Sequence, residues 1–446
     1  MIDSNFVNLY CKKDKMQKII LVISILLMWF QFFSQSRGDN LGIEIRQGLP
    51  YRQVFDSESF KSTDFIAVSL RLEGKDVRDG SFSYKLITNH RTYEFKLHHE
   101  WDSKDQDIFV SDILYLDPNE KGTWIFEARN NDAIPKTMDA IGFLRIFIPD
   151  SNYKSSLNHR QLNLRNECEC PLPEYISRSN WGSSFGLNEE IYIPPPSYTS
   201  VTHLIVHHSA GTNISNNWKG VVASIFDAHV HTNGWQDVGY NWLIDPNGML
   251  YEGRGGGDNV IGAHMCSHNK NTLGVCLLGN FNIASPTNEM LEKLKFLLAY
   301  KACKESISPI ESSQISSYTG FMPNIAGHKD GCAPNHTDCP GQSLYPKLDS
   351  IRNIVKIQID TTCISSSIAE DYKNDSWQIF PIPTFDRVCI TTGDAFRIIN
   401  LEGKEITIPE NKDVNNCLDI KDIPSGLYIA QVRKPSKVVA KRFVKY

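Results

Sequence analysis

The chain has 446 residues, enough for about three domains at roughly 150 residues each. Hydrophobic residues make up 41% and charged residues 22%, a balance that builds packed cores rather than disordered chain. With 51 acidic and 46 basic side chains the net charge is −5, which excludes nucleic-acid binding by bulk charge. Beyond residue 40 no run of about 20 apolar residues occurs, which excludes a multi-span membrane protein.

At the N-terminus, Lys12, Lys13, Lys15 and Lys18 precede an apolar run over 19–33, and the small residues Ser34 and Ser36 follow. A basic start, an apolar middle and a small-residue exit predict a signal peptide over 1–36, with Met16 as an alternative start. The run is short, so no stable membrane span is expected. Export places the mature chain where disulfides persist. Eleven cysteines fit that setting.

Residues 41–150 alternate β-branched or aromatic with polar residues over 65–72, 82–87, 92–97, 108–116, 123–129 and 142–148. Turn residues separate the runs, which predicts an antiparallel β-sandwich. This block shows no catalytic constellation. His98, His99 and Glu100 suggest metal ligands, but neighbours on a strand point to opposite faces, so the pair reads as exposed residues at a strand end. The polar stretch 151–173 reads as a linker, ending in Cys168 and Cys170 beside Pro171 and Pro173.

Residues 174–360 mix the two periods. Strands are expected over 202–208, 240–245, 249–252 and 273–278, with Asn247-Gly248 as a tight turn. Helical spacing covers 218–231 and 288–304, the second with Met290, Leu291, Leu294, Leu297 and Leu298 on its core side. The pattern predicts an α/β domain, a mixed sheet flanked by helices. A Ser-rich tether is expected over 361–375, and a small β-sandwich over 376–446 with strands at 388–391, 395–400, 418–420 and 427–432. The expected fold class is thus multidomain, with the α/β domain between two β-sandwiches.

Chemistry concentrates in the central block. His207 and His208 end a strand, His328 lies in Gly327-His328-Lys329-Asp330, and Cys339 lies in Thr337-Asp338-Cys339-Pro340-Gly341. Two imidazoles and a thiolate are a zinc set that leaves a fourth position for water.

The same residues sit in ordered motifs. Ile176-Ser177-Arg178 with Trp181-Gly182 is followed by Val206-His207-His208-Ser209-Ala210, then His229-Val230 and the run from Gly234 through Gly239-Tyr240-Asn241 to Ile244. Tyr251-Glu252-Gly253-Arg254-Gly255, Gly262-Ala263-His264, the strand from Gly274 to Phe281 and the two metal segments complete the series. This series resembles the type 2 N-acetylmuramoyl-L-alanine amidases, which include the peptidoglycan recognition proteins.

The resemblance implies a Zn2+ enzyme acting on peptidoglycan, with His207, His328 and Cys339 as metal ligands and His208 outside the set. It implies Tyr240 as the phenol that orients the attacking water or stabilises the carbonyl oxygen, worth about 3–4 kcal/mol for one such donor. Thr337 falls at a second catalytic position, and Arg254 and His264 are expected to line the glycan–peptide groove. One departure stands beside the metal segment: 331–336 looks like a small insertion, and its Cys332 is open between disulfide, free thiol and alternative ligand.

In the last block, Phe380-Pro381-Ile382-Pro383-Thr384, Phe396 to Lys404, Leu418-Asp419-Ile420, Pro424-Ser425-Gly426-Leu427-Tyr428 and the basic end Lys441-Arg442-Phe443-Val444-Lys445 resemble the C-terminal sorting domain of the type IX secretion system. Ile382 stands where that family usually carries Asn. This resemblance implies a Bacteroidetes-type source, the secretion machinery as partner, and an extracellular or cell-surface destination. The expected function is a secreted zinc amidase that cuts between N-acetylmuramic acid and L-alanine. The alternatives are a non-catalytic peptidoglycan-binding module, and an adhesin or carbohydrate binder built on 41–150. With Cys11 in the signal and Cys339 on zinc, nine cysteines remain, an odd number.

Overall fold

The computed structural model describes residues 38–149, 171–368 and 379–445, apart from short segments within each. The expected signal peptide, most of the first linker, most of the 331–336 insertion and the Pro381 to Thr384 part of the sorting motif lie outside the described residues.

The first block carries β1 (Gly38–Arg46), β2 (Tyr51–Asp56), β3 (Ile66–Gly74), β4 (Phe82–Ile87), β5 (Thr92–Phe95), β6 (Ile108–Val110), β7 (Leu114–Leu116), β8 (Thr123–Asn130) and β9 (Asp139–Phe147). One antiparallel sheet runs β1-β9-β3-β6, with β7 also on β3, and the other runs β2-β8-β4-β5. Inward residues of both, among them Ile43, Leu70, Leu86, Trp124 and Leu144, share one apolar cluster.

Two differences from the expected strands have local causes. β1 opens with Gly-Asp-Asn, poor strand formers, and its register is held by continuous pairing with β9. The expected run 108–116 breaks into β6 and β7 because the buried Ser111 takes over part of the ladder. Its Oγ accepts from Leu70 N at 2.9 Å. Asp112 leaves the ladder at that break.

The central block folds around a six-stranded sheet, in the order β10 (Tyr175–Ile176), β13 (Leu250–Glu252), β12 (Trp242–Ile244), β14 (Thr272–Leu277), β11 (His203–His208), β17 (Ile325–Gly327). β12 and β13 form an antiparallel hairpin, while β11 is parallel to both β14 and β17. The hairpin turns at Asn247-Gly248, where Gly248 adopts a φ of 75° that a side chain would strain. A small hairpin, β15 (Ser312–Gln314) and β16 (Phe321–Pro323), stands apart from this sheet.

Among the described residues, four helices accompany the sheet: α1 (Arg178–Trp181), α2 (Trp218–Asp227), α3 (Asn288–Lys304) and α4 (Leu348–Ile368). α3 has the expected bounds. Thr287 caps it by accepting from Met290 N at 3.2 Å, Glu289 lies in its first turn and Lys301 and Lys304 in its last, as the helix dipole favours. Met290, Leu294, Leu297 and Leu298 pack with α4 residues Leu348, Ile351 and Val355 against Val206, Val275 and Leu277. α4 continues to Ile368, so the stretch expected to be a tether from 361 begins as helix.

The opposite face of the sheet carries α1 and α2, and here the first block joins the same core. Phe65, Ala67 and Phe147 cluster with Trp181, Val222, Phe226, Leu243 and Cys276. Polar ties seal the seam: Arg145 to Asp227 at 2.6 Å, Ser69 Oγ to Thr232 Oγ1 at 2.7 Å, and Tyr115 Oη to Ser224 Oγ at 3.0 Å. α2 passes into a π-turn at Ala228–Thr232, which supplies Thr232 to that seam.

In the last block, β18 (Ile379–Phe380), β19 (Arg387–Ile390) and β21 (Cys417–Asp419) form one sheet, and β20 (Phe396–Ile399), β22 (Gly426–Arg433) and β23 (Val438–Lys445) another. Val388, Ile390, Ile398, Tyr428 and Phe443 share one cluster. Cys389 and Cys417, opposite each other in the ladder, form a disulfide. Among the described residues, no helix is long and apolar enough to cross a membrane.

Candidate active site

β11 is buried along its length and parallel to its neighbours, so its C-terminal end delivers side chains to one rim of the sheet. Alternation then separates the two histidines. His207 points to the α2 side, with its ring 5.3 Å from that of Tyr240. His208 points to the other side, where its Nδ1 accepts from Phe281 N at 3.2 Å. β17 ends at Gly327, and a tight turn over His328–Gly331 brings His328 in; Asp330 secures that turn by accepting from Gly327 N at 2.8 Å. Cys339 arrives on the following loop, tied back by Lys329 N to Cys339 O at 3.0 Å.

The structure therefore brings His207, His328 and Cys339 together. One donor atom from each lies within 4.8 Å of the others, and all three residues are buried. The His207 and His328 rings are 4.5 Å apart, and Cys339 Sγ lies 3.7 Å from His207 Nδ1. Burial, reinforced by nearby His99 and His208, pushes the His207 pKa well below its ordinary value, so the ring is neutral and able to ligate. The backbone N–H of His208 donates to Cys339 Sγ at 3.4 Å, which favours a thiolate. This group could hold a metal ion.

Tyr240 is buried against the rings of His207 and His229. His229 in turn accepts from Gly239 N at 3.0 Å, which fixes the backbone just before Tyr240. Thr337 lies at the cleft beside the metal group, and its Oγ1 accepts from Cys339 N at 3.1 Å.

Neither of the two residues expected to line the groove is among those lining this cleft. His264 is buried behind His207, with Nδ1 3.0 Å from His207 Nε2. Arg254 is half-buried and donates to Val238 O at 3.2 Å. Both were expected from motif position, and the hairpin and Gly239 backbone turn them inward. Cys332 forms a disulfide with Cys266, packed beside His328, which resolves the alternatives left open for it.

The larger correction concerns His98 and His99. They are not exposed at a strand end. The strand stops at the Leu97–Ser111 bridge and turns, with Trp101 N bonding to His98 O, so both rings fall on one side and stack 5.1 Å apart at 15°. They open on a cleft of about 840 Å³ between the first block and the sheet rim, shared with Asp112, His208, Asn280, Thr337 and Cys339. Adjacent histidines carried a signal, but strand alternation read it the wrong way because the strand had already ended.

The family described as N-acetylmuramoyl-L-alanine amidase matches residues 197–342. Peptidoglycan-recognition protein LB of Drosophila melanogaster is 30% identical over 197 residues, covering 44% of this chain and 75% of that protein. The chain belongs to the N-acetylmuramoyl-L-alanine amidase and peptidoglycan-recognition protein family. Within that family, peptidoglycan recognition protein 1 of Bos indicus is 30% identical over 173 residues, covering 38% of this chain and 80% of that one. The solved structure of wild-type Drosophila PGRP-LB is similar at 28% identity over 40% of this chain and 92% of that chain, with a TM-score of 0.31. Outside the amidase domain, a secretion system C-terminal sorting domain matches residues 378–446.

Proposed function

We propose that this chain is a secreted, zinc-dependent N-acetylmuramoyl-L-alanine amidase that hydrolyses the amide between N-acetylmuramic acid and the L-alanine of the peptide stem. The observation that carries the reading is the convergence of His207, His328 and Cys339 on one buried point beside the Tyr240 ring. The donor set fits zinc: nitrogen and sulfur ligands, three in number, from elements that leave a cleft on the open side.

Held by His207, His328 and Cys339, a zinc ion would supply a water acidified from a pKa of 15.7 to about 7 and a Lewis acid for the scissile carbonyl. The chain's own residues supply the rest. Tyr240 offers its phenolic hydrogen to the oxygen of the carbonyl as charge develops there. His264 fixes the ring orientation of His207 from behind, at 3.0 Å. Thr337 holds the loop that carries Cys339 and presents its edge to the cleft.

The same proposal covers the domain plan. Residues 1–36 act as signal peptide, 41–150 as a β-sandwich accessory domain, 174–360 as the amidase domain, and 376–446 as a small β-sandwich read by the type IX secretion machinery. Residues 151–173 and 361–375 link them. The sorting-domain match supports export to the medium or cell surface.

The test is digestion of purified peptidoglycan by the full mature chain, with and without chelator, followed by mass spectrometry. Release of free stem peptides that begin with an L-alanine bearing a free amino group, abolished by chelator and restored by zinc, is the expected result. Tight binding to peptidoglycan with no peptide released would make the protein a recognition module instead.

A further inference from the structure

The cleft has one wall that lies outside the family match of 197–342. Its centre is His99. Nδ1 of that ring lies 2.7 Å from Asp112 Oδ1, and Nε2 lies 3.1 Å from the His208 carbonyl oxygen and 3.4 Å from Tyr240 Oη. A carboxylate and a carbonyl only accept hydrogen bonds, so both ring nitrogens carry hydrogens and the ring is an imidazolium paired with Asp112. Burial alone would push the Asp112 pKa up, but the His99 charge and its hydrogen bonds outweigh it and hold the group below the ordinary carboxylate value. The carboxylate therefore stays ionised as the partner of that ring.

The pair is held firmly. His99 N also donates to Asp112 Oδ1, at 3.1 Å. His98 stacks on one side of the His99 ring, and the His208 ring meets it edge-on at 5.7 Å and 87°. Behind it, the first block shares a core with α2 and is tied by the buried Arg145–Asp227 ion pair. A group anchored in this way keeps its place relative to Tyr240 even though the two are 141 residues apart in sequence.

We propose that the N-terminal β domain is a working part of the active site, and that its His99–Asp112 pair positions the phenol of Tyr240. The Nε2–H of His99 is shared between the His208 carbonyl oxygen and a lone pair of Tyr240 Oη, which leaves the phenol's own hydrogen to be donated to the substrate carbonyl. At 3.4 Å the contact is long in the free protein, and it shortens as the phenol takes on partial negative charge during donation. His99 is a positioning residue here, acting through Tyr240. This inference rests on the amidase reading above.

The experiment uses the full mature chain loaded with zinc and a purified muramyl peptide. In H99A, kcat falls about tenfold while KM stays within about twofold, and the zinc content is that of wild type. H99Q, whose amide can donate from nearly the same place, recovers most of the loss. Added to Y240F, the H99A change costs nothing more, because its route of action is already gone. A rise in KM at unchanged kcat, a loss that adds fully to that of Y240F, or loss of zinc in H99A would each overturn the proposal. A second readout needs neither zinc nor turnover. In the metal-free protein labelled with 15N-histidine, the signals lost in H99Q show two protonated nitrogens, one of which shifts in Y240F. A single protonated nitrogen there overturns the proposal. If wild type releases no peptide at all, the amidase reading fails alone, and the spectra still decide whether the pair holds Tyr240.

Discussion

His207 Nε2 and His264 Nδ1 lie 3.0 Å apart, so His207 faces Cys339 with its other nitrogen, Nδ1. His264 thereby chooses which His207 nitrogen faces the other two ligand residues, and it fixes the plane of the ring. Residues in this position behind a ligand tune affinity nearly as strongly as the ligand itself.

His264→Ala is therefore expected to weaken zinc binding by about 10–100-fold. His264→Gln, which can still bond to His207, should lose less. Competition against a chelating dye measures both. Equal affinity in all three proteins would mean that His264 only fills space.

Cys339→Ala is expected to remove stoichiometric zinc while leaving a folded chain. Metal analysis should show loss of the bound ion. Thermal melts of the variant should match those of wild type in chelator, since both then lack the same ligand bonds. Retained binding to insoluble peptidoglycan would separate the groove from the metal group.

Tyr240→Phe keeps the ring packed between His207 and His229 and removes only the hydroxyl. A drop in kcat of about 10²–10³-fold is expected, the scale of one lost oxyanion donor. Zinc content should be unchanged. A variant within twofold of wild type would confine Tyr240 to packing.

Asp227 ties the first block to the amidase domain through Arg145, with both side chains buried. Asp227→Ala leaves a buried guanidinium without its partner, so a loss of about 3–5 kcal/mol is expected in denaturant unfolding. Burial alone would raise the Asp227 pKa, but bonds to Arg145 and His231 outweigh it and hold it below 3.8. The folded state thus favours the carboxylate, and its contribution is present in full above the ordinary carboxylate range. It is lost as pH falls through the depressed folded value. Wild type should lose stability below about pH 4, and Asp227→Ala should lose less over the same interval.

Much of the site was legible in the chain. Strand alternation put His207 and His208 on opposite faces of β11, and the structure keeps them there. The helix at Asn288–Lys304 followed from its apolar spacing, and the structure adds the cap by Thr287. The ordered motifs brought His328, Cys339 and Tyr240 into one site across long separations.

His264, Arg254 and His99 were not legible in that way. Each belongs to a motif or pair that the sequence displays, yet none sits where position in the motif would put it. Period and propensity state which face of its own element a residue occupies. They carry no information about which element lies opposite. His264 became a support for His207 because the loop after Gly262 folds under β11 and β14. His99 became a neighbour of Tyr240 because β5 ends early and the first block docks on α2 through Phe65, Ala67 and Phe147. The sequence by itself determined the ligand types, their order and the faces from which they project. Only the tertiary structure decided that the first block closes one side of the cleft, because that depends on apolar faces far apart in the chain burying each other.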